Sequence, residues 1–325
     1  MAILFEAIIF LISMAVLTKS SHFVVNSSVE LSKITRLGEI AIGFLVLSVA
    51  TNIPEIGVAF AALVSGEVGI TVGNVIGGNV TDIALVVGVV CILTSIKITR
   101  GVSTKLSTML FLSSLIPLLL LHVMMNKVVG LILLLTFIGF CHYTLKKRIT
   151  LVKISEEQKP DFFRAMVAKL KLTIKYYTLI LTLILGLAGV LISSWFVVSS
   201  ASKIAVELGI ATTVIGATII SLGGALPELT VGISSVKQGY LKLALGDIIG
   251  SCLTKLTLVL GLVLFLSPVT ITLTELSPMI SFVLIANVCL WFFLGTGELK
   301  RYHGILLSVI YFAFIATTYG VEIII

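Results

Sequence analysis

Long apolar runs, separated by short polar connections, fill almost the whole chain. Several of them exceed the roughly 18 consecutive apolar residues that a transmembrane helix requires. We therefore predict an all-α membrane protein with ten transmembrane helices. The predicted spans are Ile3–Val25, Glu39–Val64, Ile70–Leu93, Leu106–Met124, Val128–Leu145, Tyr177–Val198, Thr212–Val236, Leu241–Leu266, Met279–Leu294 and Ile305–Ile323.

The composition excludes a soluble globular protein. Of the 325 residues, 58% are hydrophobic and 11% are charged, whereas soluble domains contain about 25% charged residues. The first apolar run includes Glu6 and has no basic residues before it, so we interpret it as a permanent span rather than a signal peptide. The four cysteines lack the spacing of a metal site or a disulfide framework.

The basic residues predict the orientation of the chain. With the N-terminus outside the cell, 19 of the 22 lysines and arginines lie on the cytoplasmic side, and the other three are Lys127, Lys203 and Lys255. Cytoplasmic connections are enriched in Lys and Arg. We therefore expect an integral protein of the plasma membrane with extracytoplasmic termini and a cytoplasmic central loop. The net charge of +7 then reflects topology and the lipid bilayer, without nucleic acid or an obligate protein partner.

The chain contains an internal repeat. An offset of 173 residues aligns residues 42–89 with a second copy without a gap, and it pairs Pro54 with Pro227 and Glu55 with Glu228. Five glycine pairs also match, and neither glycine nor proline is favoured by hydrophobicity alone. We therefore interpret the two halves as related copies.

The repeat predicts the domain organisation. Residues 1–145 form the first five-helix repeat, residues 146–175 a basic cytoplasmic linker with a short surface helix near Phe162–Leu172, and residues 176–325 the second repeat. Five is an odd number, so the second copy enters the membrane with the opposite orientation. Inverted repeats of this kind place a binding site near the bilayer midplane, at discontinuous helices.

Two such breaks are predicted where a proline precedes a glutamate. The second span contains SVATNIPEIGV and the seventh contains SLGGALPELTV. Proline removes a hydrogen-bond donor from a helix and clashes with the preceding turn, so carbonyl groups near Ser48 and Ser221 become available as ligands. The third and eighth spans contain VGNVIGGNVTD and LGDIIGSCLTK, whose glycines permit close helix approach or a local break.

Four ionisable residues are predicted within the membrane. Glu55 and Glu228 follow the two prolines, and two carboxylates that meet repel each other unless a cation or proton lies between them. We therefore predict that they bind a transported cation. Hard oxygen ligands suit Ca²⁺, and Na⁺ uses the same type of ligand in smaller number. Asp82 and Lys255 are repeat partners, and they either form a purely structural ion pair or adjust the charge of the site. When all four groups are ionised, the site charge is −2.

Other polar residues fall near these charges. Asn74 and Asp247 form another repeat pair that we interpret as helix caps near the span ends. The candidate side-chain oxygens are Thr51, Asn52, Thr81, Ser251 and Thr254.

These features resemble the Ca²⁺/cation antiporters, the sodium/calcium exchanger superfamily, over nearly the whole chain. The family carries a GTSLPE-like element followed by GNxxGSNxxN or GDxxGSNxxD. The corresponding elements here are ATNIPE with GNVIGGNVTD, and GGALPE with GDIIGSCLTK. The resemblance implies ten helices in two inverted repeats, exchange of Ca²⁺ for Na⁺ by alternating access, and no cofactor.

The resemblance also implies metal ligands. Glu55 and Glu228 match the two central Ca²⁺-ligating glutamates. The other expected ligands are Thr51 through its carbonyl group, Asn52 and Ser251 at sodium-binding positions, Asp82, and Ser48 and Ser221 through their carbonyl groups.

Several positions depart from the family pattern. Gly78 replaces a ligand serine, Gly224 and Ala225 replace a Thr-Ser pair, and Lys255 places a tethered ammonium where a mobile cation would otherwise sit. The loss of side-chain oxygens disfavours the usual set of sodium ions. Fewer sodium ions, protons carried on the two glutamates, or a divalent ion other than Ca²⁺ therefore remain open. A cation channel is a more remote alternative, and the absence of histidines at membrane depth argues against an enzyme.

Overall fold

The architecture is taken from a computed structural model that describes residues 2–34, 48–98, 100–120, 126–146, 162–237, 241–267 and 273–320. Within these residues the secondary structure is almost entirely helical. The helices are α1 (Ala2–Ile34), α2 (Ser48–Thr51), α3 (Ile53–Ser65), α4 (Val68–Leu93), α5 (Arg100–Leu120), α6 (Lys127–Lys146), α7 (Phe162–Leu208), α8 (Thr212–Gly224), α9 (Leu226–Lys237), α10 (Leu241–Thr254, continued by Lys255–Val259 and Leu260–Leu266), α11 (Leu273–Gly295) and α12 (Arg301–Thr318).

Every predicted span corresponds to one helix or to a pair of shorter helices. Among the described residues, five helices are long and apolar enough to cross a membrane: α4, α10, α11, α12 and the part of α7 from Tyr177 to Leu208. Parts of four predictions lie outside the described residues: residues 39–47 of the second span, 121–124 of the fourth span, 147–161 of the linker and 321–323 of the tenth span. The surface helix predicted at Phe162–Leu172 is continuous with the sixth span, because α7 runs for 47 residues without a break.

The two predicted helix breaks are present. Helix α2 ends at Thr51, Asn52 is non-helical, and α3 begins at Ile53 with Pro54 in its first turn. Proline is tolerated in a first turn because the N–H groups there have no partner within the helix. In the second repeat α8 ends at Gly224 and α9 begins at Leu226. Both motifs therefore end one helix and begin the next.

The third and eighth spans each contain a π-helical segment that the sequence pattern did not predict. The segments are Thr81–Val86 in α4 and Lys255–Val259 in α10, at matching places in the two repeats. A π-helical turn often marks a functional site because it shifts the side chains that follow it. The first segment begins one residue before Asp82, and the second begins at Lys255.

One contact between the two halves has a counterpart at the positions that the 173-residue offset pairs with it. The hydroxyl groups of Ser48 and Thr254 lie 3.5 Å apart, and those of their repeat partners, Ser221 and Thr81, lie 3.2 Å apart. Strands β1 (Ile96–Lys97) and β2 (Glu298–Leu299) add an antiparallel pair between the halves. These exchanged contacts are those expected when a pseudo-two-fold axis relates the copies.

Glycines let the central helices cross closely. A Cβ atom on Gly73 or Gly77 of α4 would overlap the backbone of Thr213 or Ala217 in α8, and one on Gly216 would overlap the backbone of Ile70. Small residues are the usual means of close helix approach in membranes. The crossing holds the π-helical turn of α4 against the break in the seventh span, where the candidate site lies.

Candidate cation-binding site

The two glutamates occupy equivalent places at the starts of two helices. Glu55 lies in the first turn of α3 and Glu228 in the first turn of α9. Both side chains are buried, with exposures of 1% and 0%. The N-terminal end of a helix carries a partial positive charge, so each helix break directs a favourable dipole end at a buried carboxylate.

Lys255 brings the acidic residues together. Its Nζ atom lies 2.9 and 3.1 Å from the two carboxylate oxygens of Asp82. The same Nζ atom lies 3.3 Å from Oε1 of Glu55 and 3.7 Å from Oε1 of Glu228. One ammonium group therefore lies among all three carboxylates. The sequence analysis paired Asp82 with Lys255 but did not show that Lys255 also approaches the two glutamates.

A hydrogen-bonded chain of side chains leads from the first helix break to Glu228. Asn52 donates from Nδ2 to the hydroxyl of Ser251 at 3.0 Å, and that hydroxyl donates to Oε1 of Glu228 at 3.3 Å. The hydroxyl of Thr51 lies 3.1 Å from the same hydroxyl of Ser251. The predicted ligand positions Thr51, Asn52, Ser251 and Glu228 therefore form one connected, buried group.

The two carbonyl groups expected at the helix breaks already accept hydrogen bonds. The carbonyl oxygen of Ser48 accepts one from the side-chain amide of Asn52. The carbonyl oxygen of Ser221 accepts one from the backbone N–H of Ala225 at 3.0 Å. The carbonyl oxygen of Ser48 also accepts a hydrogen bond from the hydroxyl of Thr51 at 3.5 Å. Both carbonyl groups therefore take part in the hydrogen bonds that surround the two helix breaks.

Several buried oxygens at the site receive no hydrogen bond of normal geometry from the described residues. They are both carboxylate oxygens of Glu55, Oε2 of Glu228 and Oδ1 of Asn52. Unpaired buried acceptors are costly and rare in native proteins. Over the described ranges, no group of three acidic, histidine or cysteine side chains has the spacing of a ready metal site, and the ammonium of Lys255 lies where the carboxylates converge.

The capping roles predicted for Asn74 and Asp247 are wrong. Asn74 lies within α4, which begins at Val68, and Asp247 lies within α10, which begins at Leu241. Both side chains are almost completely buried, and Asp247 receives no hydrogen bond of normal geometry from the described residues. The sequence could not show this, because repeat equivalence alone does not tell which neighbouring helices cover the two side chains.

Two glycines have a role that the sequence analysis missed. A Cβ atom on Gly78 would lie 3.4 Å from both Cδ and Nζ of Lys255, and a Cβ atom on Gly224 would lie 2.7 Å from Oε1 of Glu55. The sequence interpretation treated both positions only as lost oxygen ligands. In the structure Gly78 lies beside Lys255, and Gly224 lies so close to Glu55 that a larger residue there would displace the Glu55 carboxylate.

The sequence and the fold are both similar to those of known proteins. The family model described as "Sodium/calcium exchanger protein" matches residues 5–146 and 178–320. The chain belongs to the sodium/calcium exchanger family. Its family and its structural neighbours are transporters, so this exchanger-family protein is an integral membrane transporter and not an enzyme.

Two relatives match most of this chain. The chain is 27% identical to the sodium/calcium exchanger MaX1 of Methanosarcina acetivorans, over 96% of this chain and 98% of that protein. It is 28% identical to the inner membrane protein YrbG of Escherichia coli, over 73% of this chain and 71% of that protein.

A solved structure shares the fold. The sodium-calcium exchanger NCX_Mj, soaked with 2.5 mM Na⁺ and 10 mM Sr²⁺, matches with a TM-score of 0.69 and 25% identity. The match covers 97% of this chain and 99% of that one. The exchanger-family fold therefore extends over both repeats, and it confirms the prediction of an all-α membrane protein with repeated halves.

Proposed function

We propose that this protein is a secondary antiporter that exchanges Ca²⁺ for a monovalent cation by alternating access between two inverted repeats. The observation that carries the proposal is the pair Glu55 and Glu228. Each is fully buried at the start of a broken helix, and each retains at least one carboxylate oxygen without a hydrogen bond from the described residues. Buried carboxylates of this kind in a membrane protein mark ion pathways.

The proposed ion ligands are the positions that the sequence analysis named. The side-chain oxygens are those of Glu55, Glu228, Asn52 and Ser251, and the backbone carbonyl oxygens are those of Thr51, Ser48 and Ser221. Both carboxylate oxygens of Asp82 contact the Lys255 ammonium, so Asp82 contributes to the site through that ion pair. Hard oxygen ligands suit Ca²⁺ and Na⁺. Family membership favours Na⁺ as the counter-ion, and the relative MaX1 is itself named a sodium/calcium exchanger.

The alternative is an H⁺-coupled exchanger of the same fold. It is favoured by Gly78, Gly224 and Ala225, which offer no side-chain oxygen to a sodium ion. Protons carried on the two glutamates would then supply the coupling. The Na⁺-coupled and H⁺-coupled exchangers would use the same two helix breaks. Transport measured with and without Na⁺ therefore distinguishes them better than the structure does.

Ion flux into reconstituted vesicles tests the proposal. We expect an outward Na⁺ gradient to drive uptake of radiolabelled Ca²⁺ and expect this uptake to saturate with Ca²⁺ concentration. Uptake driven only by a pH gradient in Na⁺-free buffer would select the H⁺-coupled form. If neither gradient drives uptake above that of protein-free vesicles, the antiporter proposal is wrong.

A further inference from the structure

The Lys255 side chain is a fully buried cation at the centre of the molecule. Its exposure is 0%, and its ammonium contacts both carboxylate oxygens of Asp82 at 2.9 and 3.1 Å. Glu55 and Glu228 approach the same ammonium at 3.3 and 3.7 Å. A buried charge is tolerated only when opposite charges and hydrogen bonds compensate it, and here three carboxylates do so.

Two glycines lie beside this group, each where the other copy carries a hydroxyl group. Gly78 is the repeat partner of Ser251, and Gly224 is the repeat partner of Thr51. A Cβ atom on Gly78 would lie 3.4 Å from Nζ of Lys255, which is ordinary van der Waals contact, and one on Gly224 would lie 2.7 Å from Oε1 of Glu55. Neither glycine offers a side-chain oxygen to a free ion at the place where the ammonium meets Glu55.

Asp82 and Lys255 are repeat partners that contact each other directly. One copy contributes the negative charge and the other contributes the positive charge. Without Lys255 the three ionised carboxylates would carry a charge of −3, and with it the four groups carry −2. The oxygens of this group that neither contact Lys255 nor receive a hydrogen bond from the described residues are Oε2 of Glu55, Oε2 of Glu228 and Oδ1 of Asn52.

We propose that the Lys255 ammonium, held on Asp82, is a resident cation that permanently occupies the place of one monovalent ion in the transport site. The mobile ion is consequently confined to the side of the site formed by Glu55, Glu228 and Asn52. The inference rests on the proposed function, because it concerns how many ions that site carries. It predicts that removal of the ammonium creates a place for one additional monovalent cation.

Counting bound sodium ions tests the inference directly. Purified wild-type protein and the variant Lys255→Gln are equilibrated with radiolabelled Na⁺ in Ca²⁺-free buffer. Glutamine keeps a hydrogen-bond donor for Asp82 but has no charge. We expect the variant to bind one more Na⁺ per chain at saturation than the wild type does. An equal or lower count in the variant would overturn the inference.

The matched control is Lys203→Gln. Lys203 is exposed and pairs with Glu6 at 2.8 Å, far along the chain from the central site. The same loss of one positive charge at this position is expected to leave the number of bound sodium ions unchanged. An increase in both variants would show a general effect of net charge and would also overturn the inference.

A stability measurement covers the case in which loss of the ammonium impairs folding. For Lys255→Ala, thermal unfolding is followed in detergent with increasing NaCl or NH₄Cl, and choline chloride controls for ionic strength. A ligand that binds only the folded protein raises its stability, so we expect Na⁺ or NH₄⁺ to restore the variant far more than choline does. A variant that is equally unstable, or unfolded, in all three salts would show that Lys255 is structural only.

Failure of this inference is distinguishable from failure of the proposed function. If wild-type vesicles show no gradient-driven Ca²⁺ uptake, the antiporter proposal fails regardless of the ion count. If wild-type uptake is normal while Lys255→Gln binds no additional Na⁺, the antiporter proposal stands and only the resident-cation inference fails.

Discussion

At the scale of single residues, the chemistry is concentrated in four ionisable side chains that share one ammonium-centred cluster. Glu55 and Glu228 come from equivalent first turns, whereas Asp82 and Lys255 come from equivalent π-helical segments but have opposite charge. The sequence showed that these residues are paired by the repeat. It could not show that Lys255 contacts three carboxylates at once, because repeat equivalence alone gives no distance between side chains.

Replacement of either glutamate by glutamine tests their role as ligands. Glu55→Gln or Glu228→Gln removes a buried charge from the site, and the loss of one partner of a buried charge pair weakens binding by about 2–5 kcal/mol. Since 1.4 kcal/mol corresponds to about tenfold in an equilibrium constant, we expect Ca²⁺ affinity to fall roughly 100-fold. Saturation of Ca²⁺ uptake in vesicles measures this change.

The control for this experiment is Glu298→Gln. Glu298 lies in β2, is 35% exposed, and pairs with Lys300 at 3.9 Å. An exposed ion pair contributes about 0–1 kcal/mol, so uptake should stay close to that of the wild type. If both buried glutamate variants behaved like this control, the ligand assignment would be wrong.

At the scale of the helices, close crossing of α4 and α8 positions the site. The sequence predicted close approach from glycines in the third span, and the structure shows that Gly73 and Gly77 face the backbone of α8. The proline-containing breaks were also predictable, because proline has a local and sequence-independent effect on helices. The π-helical segments were not predictable from the sequence. When every residue of a run is apolar, the hydrophobic pattern is the same whether or not one turn contains an extra residue.

Gly77→Ala tests the helix crossing. Its Cβ atom would overlap the backbone of Ala217, so the helices must separate, and overpacking of this kind typically costs about 1–3 kcal/mol. We expect a lower unfolding temperature for the purified protein in detergent. The matched control is Gly139→Ala in α6, where a Cβ atom meets nothing within 4 Å. Equal unfolding temperatures for the two variants would contradict the proposed crossing.

At the scale of the whole molecule, two related halves pack together through contacts that the repeat makes equivalent. The hydroxyl pairs Ser48–Thr254 and Thr81–Ser221 show this most directly. Apolar side chains exposed on the outer helices, such as Phe111 and Trp291, are suited to contact lipid. The orientation of this assembly in the membrane remains the prediction made from the distribution of lysine and arginine.

Cysteine labelling tests that orientation. In a background without the four native cysteines, Lys203→Cys is predicted to react with a membrane-impermeant maleimide from outside intact cells. Lys300→Cys is predicted to react only after the membrane is permeabilised, because positively charged connections are retained in the cytoplasm. Both positions are exposed in the structure. The opposite labelling pattern would show that the termini are cytoplasmic.

The sequence by itself determined the class of protein, the ten helices, the repeat and the two proline–glutamate breaks. Each of these depends on hydrophobic length, local backbone chemistry or an internal match, all of which are properties of the linear chain. Only the tertiary structure decided which oxygens around Glu55 and Glu228 remain unpaired, that Asp247 is buried within a helix, and that Gly78 and Gly224 lie beside Lys255 and Glu55. The physical reason is that these properties depend on distances of a few ångströms between side chains that lie far apart in the chain, as Lys255 and Asp82 do.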